Sequence, residues 1–149
     1  MSEQLWFFDT LVTPHISTQL SPDGLSVLES RAPRSDSPPL HVHDEDEIWH
    51  VLDGEMLIRV GDIDHNVTAG QSLLGPRGVP HTYRVLSAEA RWLVVTAKGG
   101  FERFVRSFSR PAEAGDLPAP SAPPSPEEAE AFAAACRPYG IELVGPPLH

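Results

Sequence analysis

The chain is short of positive charge. Lys98 is its only lysine among 11 basic residues, set against 21 acidic ones, for a formal net charge of −10. A nucleic-acid partner calls for a basic stripe that neutralises phosphates, and the sequence has none, so no nucleic acid is expected as a ligand. The single cysteine, Cys136, excludes an intrachain disulfide and a cysteine-based zinc cluster, and fits a cytoplasmic protein. No apolar run approaches the roughly 18 residues needed to cross a bilayer. Ser2, Glu3 and Gln4 open the chain without the basic segment of a secretory leader, so neither a leader nor a membrane anchor is expected. No internal repeat is evident. A near-absence of lysine beside abundant Ala, Pro and Gly suggests a high-GC, bacterial genome.

Proline is abundant instead. Its 16 copies in 149 residues are about twice the usual 5% share. Proline lacks an N–H and breaks helix interiors, which excludes a helical bundle. Six of the prolines fall within residues 111–126, in a stretch of Pro, Ala, Ser and Glu that reads as a strap outside the packed domain. Two parts are therefore expected: a β-domain over residues 1–110 and an extension over 111–149. Within the extension a short helix is predicted over 126–137, with Ser125 as its cap, Pro126 at its first position and Pro138 and Gly140 beyond its end. A short strand or docking segment is predicted over 141–144.

Before residue 110 short apolar runs alternate with turn residues, the pattern of a sandwich or barrel. Asp53-Gly54 is a turn dipeptide and predicts a hairpin between the runs around it. Met56, Ile58 and Val60 share one parity and hence one strand face. Further strands are predicted over 83–86 and 91–97.

Residues 41 to 47 read His-Val-His-Asp-Glu-Asp-Glu. His41, His43, Glu45 and Glu47 all share parity, so on an extended strand they point to one side. Two imidazoles and a carboxylate on one face suit a divalent transition metal: Fe, Mn, Co, Ni, Cu or Zn. The absence of thiolate argues against a purely structural zinc. The competing reading is an exposed acidic loop with two unrelated histidines.

A second segment, Gly70-Gln71-Ser72-Leu73-Leu74-Gly75-Pro76-Arg77-Gly78-Val79-Pro80-His81, sets a histidine just after a turn shaped by Pro and Gly. Together the two segments resemble the cupin family. His41, His43, Glu47 and Gly54 match the spacing of its first motif, and Gly70, Pro76, Gly78 and His81 that of its second. Two motif residues are missing: Ser35 stands where the family has an opening glycine, and Val85 where it has a closing asparagine. The resemblance covers about residues 24–108. It implies a double-stranded β-helix, the jelly-roll barrel of cupins, with one metal held by His41, His43, Glu47 and His81. Pro76-Arg77-Gly78-Val79-Pro80-His81-Thr82, Gly99-Gly100-Phe101-Glu102-Arg103-Phe104 and the closing Tyr139–Pro147 region are similar to single-domain, quercetin-dioxygenase-like members.

The motif spacing selects Glu47 over Glu45 as ligand, and Glu47 is also the candidate catalytic base. Trp49 and Val51 share its parity, and Tyr83 shares that of His81. With Met56, Ile58 and Phe104 they form the expected substrate pocket, although most of them would serve equally as barrel filling. Phe101 and Phe104 would cap the mouth or meet a second copy. His50 has the wrong parity and is expected on the outer face. His65 is expected exposed in a loop over 62–66, His15 and His149 carry no spacing signal, and Cys136 reads as inert packing. The function so implied is a metal-dependent dioxygenase acting on an enolic or phenolic small molecule with dioxygen as co-substrate. A non-oxidative polyketide cyclase or isomerase is the second reading, and a non-catalytic metal- or ligand-binding protein the third. Homodimer contacts are expected at residues 5–11 or at Ile48, His50 and Leu52.

Overall fold

Alternating burial builds the molecule into two facing sheets. The computed structural model describes residues 3–18 and 24–149; Met1 and Ser2, the first residues of the segment read for a leader, lie outside the described residues. The strands are β1 (Leu5–Phe7), β2 (Thr10–Ile16), β3 (Ser26–Pro33), β4 (Leu40–His43), β5 (Glu47–Asp53), β6 (Glu55–Val60), β7 (Ile63–Thr68), β8 (Ser72–Gly75), β9 (His81–Val85), β10 (Glu89–Thr96), β11 (Ser109–Pro111) and β12 (Ile141–Gly145). They form a seven-stranded sheet in the order β11-β1-β2-β3-β10-β5-β8 and a five-stranded sheet in the order β12-β4-β9-β6-β7. In β3 and β10 every second residue is buried, which is how a strand with one face on a core must read. These two strands pair antiparallel from Glu89↔Pro33 to Thr96↔Ser26.

Between the sheets Trp49, Val51, Met56 and Ile58 pack with Val85, Trp92 and Val94, each at most 5% exposed. Burial of such side chains is worth about 1.5–3 kcal/mol each. Met56 and Ile58 thus face inward as parity predicts, with Val60 partly buried beside them.

The Asp53-Gly54 hairpin does not form. β5 pairs with β10 and β8, and β6 with β7 and β9, so the chain crosses from one sheet to the other at this point. Gly54 turns that corner at φ +88°, where a Cβ would stand 2.5 Å from the Glu89 carbonyl oxygen. The dipeptide signals left-handed backbone, which a sheet-to-sheet corner needs as much as a hairpin does.

His65 is likewise not in a loop: it lies half-buried on β7, opposite Ile58. Among the described residues two α-helices are present where one was expected. α1 (Gly100–Ser107) follows β10 directly. Its signal is in the sequence: Phe101, Phe104, Val105 and Phe108 recur at helical spacing. α1 is tied to the residues after β2 by Glu102, which is 1% exposed and accepts the Thr18 N–H at 2.9 Å. A second cluster forms around it from Leu5, Val12, Leu28, Phe104, Val105, Cys136 and Ile141.

α2 (Pro126–Cys136) begins as predicted, with Ser125 and Glu128 making a reciprocal capping box and Pro126 in the first turn. A 3₁₀ turn, Arg137–Tyr139, and Gly140 in the left-handed region end it. β12 then runs antiparallel to β4, pairing Ile141 with His43 and Leu143 with His41. The Leu40 N–H donates to the Pro146 carbonyl at 3.3 Å, and the Leu148 N–H to Ser37 Oγ at 2.9 Å. The strand carrying two of the sequence-predicted ligands is thereby paired along its outer edge by the tail. Among the described residues no helix is long and apolar enough to cross a membrane.

Candidate metal centre

β4 delivers His41 and His43, β5 begins at Glu47, and β9 begins at His81. Because β4 and β9 pair at His41↔His81, the two histidines are direct cross-strand neighbours. Ring centroids lie 4.4 Å apart for His41 and His81, and 4.7 Å for His43 and His81. One ring nitrogen from each of the three falls within 4.8 Å of the others.

The tautomers follow from the backbone. His41 Nδ1 lies 2.8 Å from the Pro39 carbonyl oxygen, His43 Nδ1 3.0 Å from that of Glu45, and His81 Nδ1 3.1 Å from that of Val79. A carbonyl only accepts, so each Nδ1–H donates and each Nε2 is left to face the common centre, where that of His43 donates to Glu47 until a metal replaces its proton. Rigid, Pro-bounded turns supply two of these carbonyls, those of Pro39 and Val79.

Glu47, 4% exposed, places Oε1 3.2 Å from His43 Nε2 and 3.8 Å from His81 Nε2. Burial raises a carboxylate's pKa, but the hydrogen bond from His43 and the histidines' charges outweigh it and hold Glu47 below its ordinary value. For His43, burial works against the proton, and Glu47 and Glu45 outweigh it, so its pKa rises. Burial lowers His41 to about 4, with His81 adding to the effect, and burial lowers His81 as well.

The donor set fits a metal. His81 Nε2 is buried with no hydrogen-bond partner among the described residues, and such an atom is costly unless something electrophilic meets it. Three neutral imidazoles and one carboxylate supply N and O donors of the kind Fe, Mn, Co, Ni, Cu or Zn accept.

Glu45 goes elsewhere. It is 7% exposed, and its Oε2 accepts the Phe101 N–H at 3.0 Å in the first turn of α1. Gly100 makes room for it, since a Cβ there would lie 2.9 Å from that same oxygen. Burial raises the Glu45 pKa.

Of the expected pocket residues, Trp49 sets its ring 5.2 Å from that of His81. Val51, Met56 and Ile58 are wholly buried in the cluster between the sheets. Tyr83 is half-buried, stacked edge-on against Trp92 at 5.1 Å. Phe104 is not beside the centre: it sits in the second cluster among Phe7, Phe108, Phe132 and Tyr139. At helical spacing only one of two residues three apart turns to the barrel mouth, and that one is Phe101, 6.3 Å from the His43 ring. His50 faces outward as predicted, its Nδ1 2.7 Å from Ser72 Oγ. Cys136 is fully buried and its thiol is pushed up to about 11 by burial, which makes it inert.

One polar pair escaped the sequence reading. Tyr83 OH donates to Asp36 Oδ2 at 3.2 Å. Asp36 lies in the Pro-bounded loop between β3 and β4, outside any spacing pattern.

A search for sequence families finds that the Cupin domain profile matches residues 27–96. These residues form a cupin domain. The match contains His41, His43, Glu47 and His81, and it ends before α1. A comparison with curated proteins finds no match. Among solved structures, an RmlC-like cupin from Shewanella frigidimarina superposes with TM-score 0.58 at 15% identity, over 66% of this chain and 85% of that one. A protein described as a predicted oxalate decarboxylase, from Thermotoga maritima, gives 0.57 at 19% identity, over 65% of this chain and 91% of that one. KdgF from a Halomonas species gives 0.55 at 14%, over 60% and 79%. At these identities the likeness establishes the fold. The cupin barrel of this chain carries α1, α2 and β12 as additions outside the matched segment.

Proposed function

We propose that the protein is a metal-dependent enzyme whose single divalent metal is held by His41, His43, His81 and Glu47, and that it is a dioxygenase for an enolic or phenolic small molecule. The observation that carries the reading is the convergence of three histidine rings, each oriented by a backbone carbonyl at Nδ1, on a centre that Glu47 Oε1 also reaches. A metal bound there supplies a Lewis acid for an enolate or phenolate oxygen and, if redox-active, the electrons for dioxygen chemistry. The chain's own part is to position and to move protons. Glu47 is the group placed to take the hydroxyl proton of an arriving substrate, and the histidines that lower its pKa keep it in the ionised form that accepts a proton. Trp49 and Phe101 flank the histidines and exclude water. The resemblance to quercetin-dioxygenase-like cupins supports the substrate class.

The test is oxygen uptake by iron-, manganese- or nickel-loaded protein across a panel of flavonols and enolic diketones. Uptake that depends on metal and falls in Glu47→Gln supports the dioxygenase. Turnover of an enolic substrate with no oxygen consumed shifts the function to a cyclase or isomerase.

We further propose a cytoplasmic homodimer. Ile48 and Leu74, 40% and 53% exposed, are paired neighbours on the outer face of β5 and β8, and an apolar pair at a sheet edge suits a second copy. Sedimentation as a monomer would remove this proposal.

A further inference from the structure

The Asp36–Tyr83 pair lies outside the donor set of the metal centre, with Tyr83 on the same strand as His81. Tyr83 follows His81 by two residues on β9, so both side chains project between the sheets. The Tyr83 ring is fixed against Trp92, and its hydroxyl donates to Asp36. Glu47's charge is felt at that hydroxyl. Asp36, His41 and Tyr83 each keep part of their surface open, whereas His43, Glu47 and His81 are closed off. The partly open residues nearest the histidine centre on this side are therefore His41 and the Asp36–Tyr83 pair.

Asp36 is held there at a cost. Ser35, immediately before it, is an L residue at φ +73°, pinned by the Ser35 N–H to the Val85 carbonyl at 2.9 Å. The Asp36 carbonyl in turn accepts the Val85 N–H at 3.0 Å. Strained backbone of this kind persists where the surroundings over-determine it, and it concentrates at ligand sites. The carboxylate so presented makes no ion pair among the described residues, Arg84 donating instead to Ser35 Oγ at 3.2 Å; the charge it meets is that of Asp9. With its own hydroxyl hydrogen committed to Asp36, Tyr83 offers lone pairs. The pair is thus an acceptor, suited to a neutral O–H donor and hostile to a second carboxylate.

We infer that Asp36 and Tyr83 form a second anchor that receives a hydroxyl group of the substrate while another of its oxygens lies at the histidine centre. Tyr83 is one alternate strand position, about 6.6 Å, beyond His81, so the ligand is one that carries two separate oxygens rather than a single one. The inference rests on the proposed metal site and names the side of it that selects substrate.

The experiment uses zinc-loaded protein, redox-silent, with hydroquinone and phenol as probes in calorimetric titrations. Hydroquinone carries oxygens at both ends of its ring and phenol at one. The wild type is expected to bind hydroquinone about tenfold more tightly than phenol, the worth of one well-placed hydrogen bond. Tyr83→Phe is expected to erase that preference, and Asp36→Asn, which keeps an acceptor for Tyr83 but loses the charge, to reduce it, while zinc content stays unchanged. Zinc retention shows that both variants remain folded. An equal preference in the wild type and both zinc-loaded variants overturns the anchor and leaves the metal site standing. A wild type that holds no zinc overturns the metal site and the anchor with it.

Discussion

Replacing Asp36 by asparagine should change the pH dependence of stability in a defined direction. Burial raises the Asp36 pKa from 3.8 to about 6, against the opposing hydrogen bond from Tyr83. A carboxyl whose folded pKa is raised favours the folded state fully below its unfolded pKa, and that contribution is lost as pH rises through the folded pKa. Each pKa unit corresponds to about 1.4 kcal/mol, so the upper bound for this group is about 3 kcal/mol. Asp36 keeps part of its surface open, and solvent screening reduces the expected effect to about 1–2 kcal/mol. Asp36→Asn retains shape and an acceptor for Tyr83 but cannot ionise. The stability difference, variant minus wild type, should therefore be small near pH 4 and grow by about 1–2 kcal/mol by pH 7. In a chain of this size that is a gain of on the order of 3–6 °C in melting temperature. Paired denaturant titrations across this range are the assay. Taking the difference cancels the histidines, which titrate in both proteins. A difference that stays constant from pH 4 to pH 7 would refute the assignment of Asp36 as a buried, uncompensated carboxyl.

Three further outcomes follow from the geometry. Ser35→Gly should stabilise the protein by about 1 kcal/mol in thermal melts, because glycine relieves the left-handed backbone there; a loss of stability would show that the hydrogen bond Arg84 Nη2 donates to Ser35 Oγ at 3.2 Å outweighs the strain. Gly54→Ala should destabilise by roughly 2–4 kcal/mol, since its Cβ meets the Glu89 carbonyl oxygen at 2.5 Å at a positive φ; near-wild-type unfolding would mean that the corner relaxes freely. Glu47→Gln should weaken metal affinity by at least about tenfold, whereas Glu45→Gln should leave it near wild type because Glu45 serves α1. The reverse order in a competitive chelator titration would exchange the roles of the two carboxylates.

Much of the barrel was legible because its signals are local. Parity alone sends His41 and His43 to one side of β4, and the turn before His81 is written in Pro76, Gly78 and Pro80. The capping of α2 by Ser125 and Pro126 is equally local. What could not be read was non-local. Asp53-Gly54 announces left-handed backbone but not whether the chain pairs back or changes sheets. The aromatic residues after Gly99-Gly100 carry a helical period, yet which of Phe101 and Phe104 meets the histidines depends on how α1 docks through Glu102 and Glu45. Glu45 and Glu47 have the same parity, and only the position of α1 separates their partners. Asp36 has no periodic signal because its placement is set by loop hydrogen bonds to β9. Phe104 looked like a pocket residue for the same reason that Val51, Met56 and Ile58 did: an apolar side chain facing inward reads alike whether it fills a core or lines a cavity.

The central claim is that His41, His43, His81 and Glu47 hold one metal ion. Elemental analysis of the purified protein, alongside His43→Ala and His81→Ala prepared identically, tests it most directly. The account predicts about one equivalent of a transition metal per wild-type chain and a large loss from both variants, because removing either imidazole leaves an incomplete donor set. Full metal content in both variants would contradict it.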